Sequence, residues 1–240
     1  MKTRLDRLLV ERGLADSREK AQALIMAGEV LLKGQKAAKP GQSVDNDAAV
    51  EVLARPPYVS RGGFKLAAAL REFAINVTGQ ICLDIGSSTG GFTDALLQAG
   101  AARVHAVDVG AGQLDWKLRT DPRVAVHEGI NARELRFDQI GEQAALIVCD
   151  VSFISVTLIL PALLPLLQNG GQMVILIKPQ FEVGKGQVGK GGIVRDPALH
   201  LAACERVERP VRELGFQTKV MDSPILGAEG NKEFLLHAHH

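Results

Sequence analysis

Apolar residues in this chain recur first at helical spacing, then in short unbroken runs, and the change divides the chain into two parts. Over residues 3–13, Leu5, Leu8 and Leu9 fall on one helical face and Gly13 is a stop signal. Ser17 is an N-cap candidate for a second helix through Met26, with Gly28 just beyond its end. Val30–Leu32 and Val50–Leu53 read as short strands around turns at Gly34, Pro40 and Gly41. Ala54-Arg55-Pro56-Pro57-Tyr58 reads as stiff, extended chain, because consecutive prolines hold φ. The expected organisation is a small α+β module over residues 1–55, a linker over 56–60 and a larger domain over 61–240.

Beyond the prolines, strands and helices alternate. A helix is expected from Gly62 to Phe73, and strands at Ile81–Ile85, Val104–Val109, Ala144–Cys149 and Met173–Ile177. Further helices are expected from about Phe92, over Ile154–Leu167, and from the Asp196-Pro197 start to about Leu214, with a kink at Pro210. Gln217–Met221 and Glu233–His237 follow as strands of an antiparallel hairpin. This alternation implies a mostly parallel sheet covered on both faces, with ligands at the C-terminal strand tips. Asp84, Asp108, Asp150 and Lys178 stand at such tips.

The loop after the first of these strands carries the most specific chemistry. Asp84-Ile85-Gly86-Ser87-Ser88-Thr89-Gly90-Gly91-Phe92 joins an apolar strand to a helix. A dinucleotide-binding G-x-G-x-x-G would need glycine at position 88, where serine stands. Glycines let backbone N–H groups approach a ligand closely, while an acid here repels a pyrophosphate and suits an ammonium. S-adenosylmethionine has that ammonium and no phosphate. Asp108, at the next strand tip, is placed to take ribose hydroxyls. Asp150 and Lys178, of opposite sign and each ending an apolar strand, can form a pair in one sheet, because a charge there is costly unless paired or used.

Composition narrows the classes. Net charge is only +1, but residues 1–44 hold nine Lys/Arg against five acids, a modestly basic module. The three cysteines lack metal-ligand spacing, and a reduced, cytoplasmic setting fits them best. No signal peptide is expected from the charged N-terminus. The most apolar stretch, Val156–Leu167, contains two prolines and is far shorter than a membrane span. No metal site is drawn from the C-terminal His237-Ala238-His239-His240.

Lys65, Asp150, Lys178 and Glu233, in that order after such a loop, resemble the tetrad of FtsJ-like ribose 2′-O-methyltransferases. The whole chain resembles the TlyA, or hemolysin-A-like, family, which joins an S-four-like RNA-binding domain to an FtsJ-like domain. The first module carries the likeness in Arg4-Leu5-Asp6, Ser17-Arg18-Glu19-Lys20-Ala21, Gly28-Glu29-Val30 and Lys33-Gly34. The second carries it in Ser60 to Lys65, Asp84 to Phe92, Asp150 to Ser155, Lys178-Pro179-Gln180-Phe181-Glu182 and Gly230-Asn231-Lys232-Glu233.

The resemblance implies an α/β, Rossmann-like fold with a seven-stranded, mostly parallel sheet behind a small α+β RNA-binding domain. It implies methyl transfer from S-adenosylmethionine to a cytidine ribose 2′-OH in ribosomal RNA within ribosomal subunits, without metal or membrane. Lys178 would be the base and Lys65 would orient the hydroxyl, with Asp150 and Glu233 holding the lysines. Repulsion between the two lysines would favour a neutral amine. The cofactor would lie against Asp84, Gly86, Ser87, Ser88, Thr89, Gly90, Gly91, Phe92, Asp108, Val109, Asn131 and Asp150. RNA phosphates would meet Arg4, Arg7, Arg18, Lys20, Lys33 and Arg61, together with Lys185, Lys190 and Arg195 on the basic, glycine-rich loop over 182–195. Arg4 and Arg7, three apart, are expected on one helical face. Few aromatics (4%) argue against stacking platforms in the first module. Three other classes compete: a membrane-active hemolysin, a non-catalytic ribosome-assembly factor and a small-molecule methyltransferase. The missing long apolar segment, the complete tetrad and the basic first module disfavour them in turn.

Overall fold

The computed structural model describes residues 2–53, 57–227 and 230–240, without the Lys185 side chain. Most of the proline linker, Ala54 to Pro56, therefore lies outside the described residues, as does the Lys185 contact expected for RNA. The chain separates into two compact units, Met1–Pro57 and Tyr58–His240.

In the first unit, β1 (Lys2–Arg4) leads into α1 (Leu5–Glu11) and α2 (Arg18–Met26). Four short strands follow: β2 (Val30–Leu32), β3 (Gln35–Lys36), β4 (Ser43–Asp45) and β5 (Val50–Val52). β1 pairs with β4, and β2 lies between β3 and β5, all antiparallel. Ser17 caps α2 as expected, its side chain accepting from Lys20 N at 3.2 Å. Leu5, Leu8, Leu9, Leu24, Ile25 and Val30 form the core. Arg4 departs from its expected place on a helical face with Arg7. It ends β1 in extended conformation, and its guanidinium reaches the fully buried Asp6 at 2.8 Å. Arg18 Nε and Gln22 Nε2 donate to the same carboxylate at 3.0 and 2.9 Å. These three donors, Arg4 foremost, hold the Asp6 carboxyl well below the usual carboxylate range against the opposing pull of burial.

The second unit runs α3 (Gly62–Glu72), β6 (Ile81–Ile85), α4 (Gly91–Gln98), β7 (Arg103–Asp108), α5 (Trp116–Arg119) and β8 (Val124–Glu128). It continues through α6 (Phe137–Ile140), β9 (Ala144–Cys149), α7 (Leu160–Leu163), β10 (Leu167–Ile177) and α8 (Pro179–Glu182). It closes with α9 (Pro197–Glu213), β11 (Gln217–Asp222) and β12 (Phe234–His239). Residues 58–60, expected as linker, belong to this unit: Val59 N donates to the buried Asp94 carboxylate at 3.0 Å, and Tyr58 meets Phe64 edge-on.

The seven strands lie in the order β11-β12-β10-β9-β6-β7-β8. The inner strands are parallel, and the closing hairpin is antiparallel as expected. β9 shows why the sheet is covered on both faces. Its Ile147 and Cys149 point into one apolar cluster with α7 and α9, while Leu146 and Val148 point into another with α3 and α4. Each fully buried Leu or Ile contributes about 1.5–3 kcal/mol relative to exposure.

Two local expectations give way, and one strand is added. The helix expected over Ile154–Leu167 is a 3₁₀ turn at Val156–Leu158, the single-turn α7 and a second 3₁₀ turn at Leu164–Leu166. Pro161 and Pro165 lack the N–H that a continuous helix needs. The strand expected from Met173 starts at Leu167, with a register break before Gln172. Val124–Glu128, not singled out in the sequence, is the seventh strand, an edge strand half-buried throughout. Elsewhere α9 starts at Pro197 with Asp196 accepting from Ala198 N at 2.8 Å, and it runs on through Pro210 to Glu213.

Candidate functional site

Strand order reverses between β6 and β9: β7 and β8 extend one way from β6, and β10 extends the other way from β9. A crevice opens outside such strand ends. The Gly86 loop leaves β6 on one side of it, and Asp150 leaves β9 on the other. Gly86 has φ +82, and a Cβ there would overlap the Asp150 carbonyl oxygen, so only glycine fits.

The loop is tied to β7. Gly86 N and Ser87 N both donate to Val107 O. Asp108 accepts from Ser88 N and from Gly110 N, each at 2.7 Å, one on each carboxylate oxygen. Two pocket regions share this loop. One, of about 390 Å³, is lined by Asp108, Val109, Ile130, Asn131 and Ala132, an acid beside apolar walls, as a nucleoside requires. The other, of about 800 Å³, is lined by Ser87, Thr89, Gly91 and Phe92 and by all four tetrad residues. Gly86, Ser88, Asp150, Ser152 and Phe153 border both.

Asp84 lies beneath the loop, fully buried. One oxygen accepts from Thr93 Oγ1 at 2.6 Å, and Oδ1 has no partner. Burial pushes its carboxyl up to about 7; Thr93 opposes this, and Asp150 and Asp108 add to it. Between the ordinary Asp value, about 4, and about 7, the folded protein holds a proton that the unfolded chain has lost. Stability from this group therefore falls as pH rises, by up to about 1.4 kcal/mol per pH unit. Asp84→Asn is expected to remove that slope, read as the difference between variant and wild type in urea unfolding at pH 5 and pH 8.

The tetrad is two ion pairs. Lys178 follows β10 and reaches Asp150, which follows β9, at 2.5 Å; its Nζ also donates to Ser152 Oγ at 2.8 Å. Lys65, on α3, reaches Glu233 at 2.5 Å, with both side chains nearly buried. β12 runs antiparallel to β10, and Ile177 faces Phe234. That register brings Glu233, just before β12, to the same sheet edge as Lys178. Gly227 lies so close to the Glu233 carboxylate that a Cβ would overlap Oε1.

Several residues not assigned roles from the sequence join them. Phe153 is 91% exposed at φ +65, a conformation bulky residues avoid, and its ring lies 5.3 Å from that of Phe181. Both rings line the larger cavity, as does Gln180, whose Oε1 is buried without a partner. Asn231 is buried and ties down the glycine-rich loop: its Nδ2 donates to Gly192 O at 2.9 Å, and its Oδ1 accepts from Val194 N at 3.0 Å. The only sequence signal for them was membership in the short runs that carried the family resemblance.

The RNA candidates are less uniform. Arg61 lines the larger cavity, and Lys190 and Arg195 are exposed on the loop held by Asn231. Arg7 is exposed on α1, Lys20 pairs with Asp16, and Lys33 sits at φ +52 in a turn. Arg4 and Arg18 are anchored on Asp6 with about half of each side chain still exposed.

Comparison with known proteins agrees with this layout. Residues 58–240 match the FtsJ-like methyltransferase family, and residues 3–50 match the S4 domain. The 16S/23S rRNA (cytidine-2′-O)-methyltransferase TlyA of Mycobacterium tuberculosis is 50% identical over 238 residues, spanning 98% of this chain and 89% of the relative. A Brachyspira hyodysenteriae relative named Hemolysin A is 44% identical, spanning 98% of each chain. The solved structure of a hemolysin-named protein from Streptococcus thermophilus superposes with a TM-score of 0.75 at 45% identity, covering 99% of this chain and 88% of that one. An S4 domain followed by an FtsJ-like domain, on a parallel sheet whose crevice gathers two lysine–acid pairs, places the chain in the TlyA family of FtsJ-like methyltransferases.

Proposed function

We propose that this protein transfers a methyl group from S-adenosylmethionine to the ribose 2′-OH of a cytidine in ribosomal RNA. The observation that carries the reading is the convergence of Lys178–Asp150 and Lys65–Glu233 on the cavity that adjoins the nucleoside-shaped one. The substrate class rests on the names of the relatives.

The donor set suits the cofactor. Asp108, Val109, Ile130 and Asn131 would hold the nucleoside, and Ser87, Ser88, Thr89, Gly91 and Phe92 with Asp150 would hold the amino-acid end; Asp84, buried beneath the loop and lining neither cavity, would support the loop rather than touch the ligand. The acidic character of these tips matches a cationic ligand without phosphate. The bound cofactor supplies a methyl group already activated on a sulfonium. The chain's work is to place a hydroxyl in line and remove its proton. Lys178 Nζ takes that proton as the neutral amine, after giving up the proton of its ion pair to solvent, in a position set by Asp150 and Ser152. Lys65 donates to the hydroxyl oxygen, itself held by Glu233. Phe153 and Phe181 offer an apolar face against which a base can rest. Lys190 and Arg195, and Arg7, Lys33 and their neighbours on the S4 domain, contact phosphates and set the register.

The test is transfer of labelled methyl to unmethylated ribosomal subunits, with mapping of ribose methylation. The expected result is label on a cytidine ribose, with RNA affinity falling steeply as salt rises. Label on a base, or none on folded protein that binds the cofactor, overturns the reading. The hemolysin name of some relatives finds no support in the site, and among the described residues no helix is long and apolar enough to cross a membrane.

A further inference from the structure

Glu182 is a charged residue buried to 3% exposure, four positions after Lys178, at the end of the single-turn α8. It does not line the cavity that holds the two lysines. Its carboxylate is instead spent on the segment that follows β9: Oε2 accepts from Ser155 Oγ at 2.6 Å, and Oε1 accepts from Val156 N at 3.0 Å. Arg206, on α9, stands 3.8 Å away. Burial raises its carboxyl above the ordinary range, and the bonds from Ser155 and Val156 and the Arg206 charge oppose that rise. Burying an acid in this way is costly, so its two bonds need a structural return.

The return lies in what the two segments carry. Residues 178–182 hold Lys178 at one end and Glu182 at the other. Residues 150–156 hold Asp150 at one end and Ser155–Val156 at the other. Lys178–Asp150 is thus one rung between these segments, and Glu182–Ser155/Val156 is a second. Between the rungs lie Ser152, which accepts from Lys178, and Phe153 at φ +65. A left-handed bulky residue is strained and persists only where its surroundings over-determine it. One rung leaves the segment free to relax about Asp150, whereas two fix both ends.

We propose that Glu182 is a positioning residue, which clamps the far end of the 150–156 segment and so holds Asp150, Ser152 and Phe153 against Lys178. The role rests on the methyl-transfer reading above for its effect on rate, but its structural part can be read without any substrate.

The test compares wild type with Glu182→Ala, Glu182→Gln and Ser155→Ala, by turnover on ribosomal subunits and by hydrogen–deuterium exchange of the free protein. Glutamine can still accept from Val156 N and donate to Ser155 Oγ. The expected results are a tenfold or greater fall in kcat for Glu182→Ala, with recovery to within threefold of wild type in Glu182→Gln. Exchange should quicken at least tenfold within residues 150–158, with α3 and α4 unchanged. Wild-type rate and wild-type exchange in Glu182→Ala would overturn the proposal, as would a glutamine variant no better than alanine. If Glu182→Ala does not fold, Ser155→Ala decides: a threefold or greater fall in kcat supports the clamp, and a wild-type rate overturns it. A wild type that transfers no methyl sinks the functional reading, and the exchange data then decide the clamp alone.

Discussion

Replacing Lys178 with alanine is expected to lower methyl transfer to ribosomal RNA by about 10²- to 10⁴-fold, the usual contribution of a positioned general base. A ribose hydroxyl is a poor nucleophile until its proton leaves, and Lys178 is held for that task by Asp150 at 2.5 Å and by Ser152 at 2.8 Å. The alanine variant alone does not separate proton removal from charge. Lys178→Arg does, because a guanidinium keeps the positive charge and the bridge to Asp150 but cannot give up its proton. The arginine variant should remain at least 10²-fold below wild type in single-turnover transfer under saturating cofactor. Cofactor affinity, measured by calorimetry, should hold or tighten in the alanine variant, since Asp150 loses a competing cation. An arginine enzyme at wild-type rate would remove Lys178 from the base role.

The second large effect is on stability. Glu233→Ala leaves Lys65 at 8% exposure without its partner, and breaking a buried pair in this way costs about 3–5 kcal/mol. Against a total stability of about 5–15 kcal/mol, such a loss is severe. Lys65→Ala should cost a similar amount by stranding Glu233. Replacing both, as Lys65→Met with Glu233→Leu, removes both charges and should recover most of the loss, because apolar pairs of similar volume often match a buried ion pair. Urea unfolding of the three variants reads the stability part. The double variant should be folded yet transfer little methyl, which assigns the Lys65–Glu233 pair to the chemistry as well as to the packing. A folded double variant with wild-type turnover would leave the pair a structural one.

Much of the framework was legible because it depends on local pattern. Apolar runs ending in Asp84, Asp108, Asp150 and Lys178 located four strands and their tips, since strands buried on both faces show continuous apolar character. A pairing of Asp150 with Lys178 was one reading the sequence left open, and the adjacency of β9 and β10 realises it. The prolines at 161 and 165 were visible too, yet the high apolar content around them suggested one helix where three short turns form. The edge strand Val124–Glu128 was missed because edge strands need neither continuous burial nor strict alternation.

What the sequence determined by itself is therefore the set of strands, the order of the chemistry-bearing tips, the glycine loop and, through its motifs, the family. Tertiary structure alone decided which distant residues meet. Lys65 and Glu233 lie 168 positions apart and pair only because β12 returns antiparallel beside β10. Arg4 turns to Asp6 because β1 pairs with β4 and directs it away from the face it would take in a helix. Phe153 is held in a left-handed conformation between the Lys178 and Glu182 rungs, which no local propensity favours. Periodicity and capping act over a few residues and are written in the order of the chain. The partner of a buried charge depends on strand register and crossover, which follow from how the whole sheet assembles.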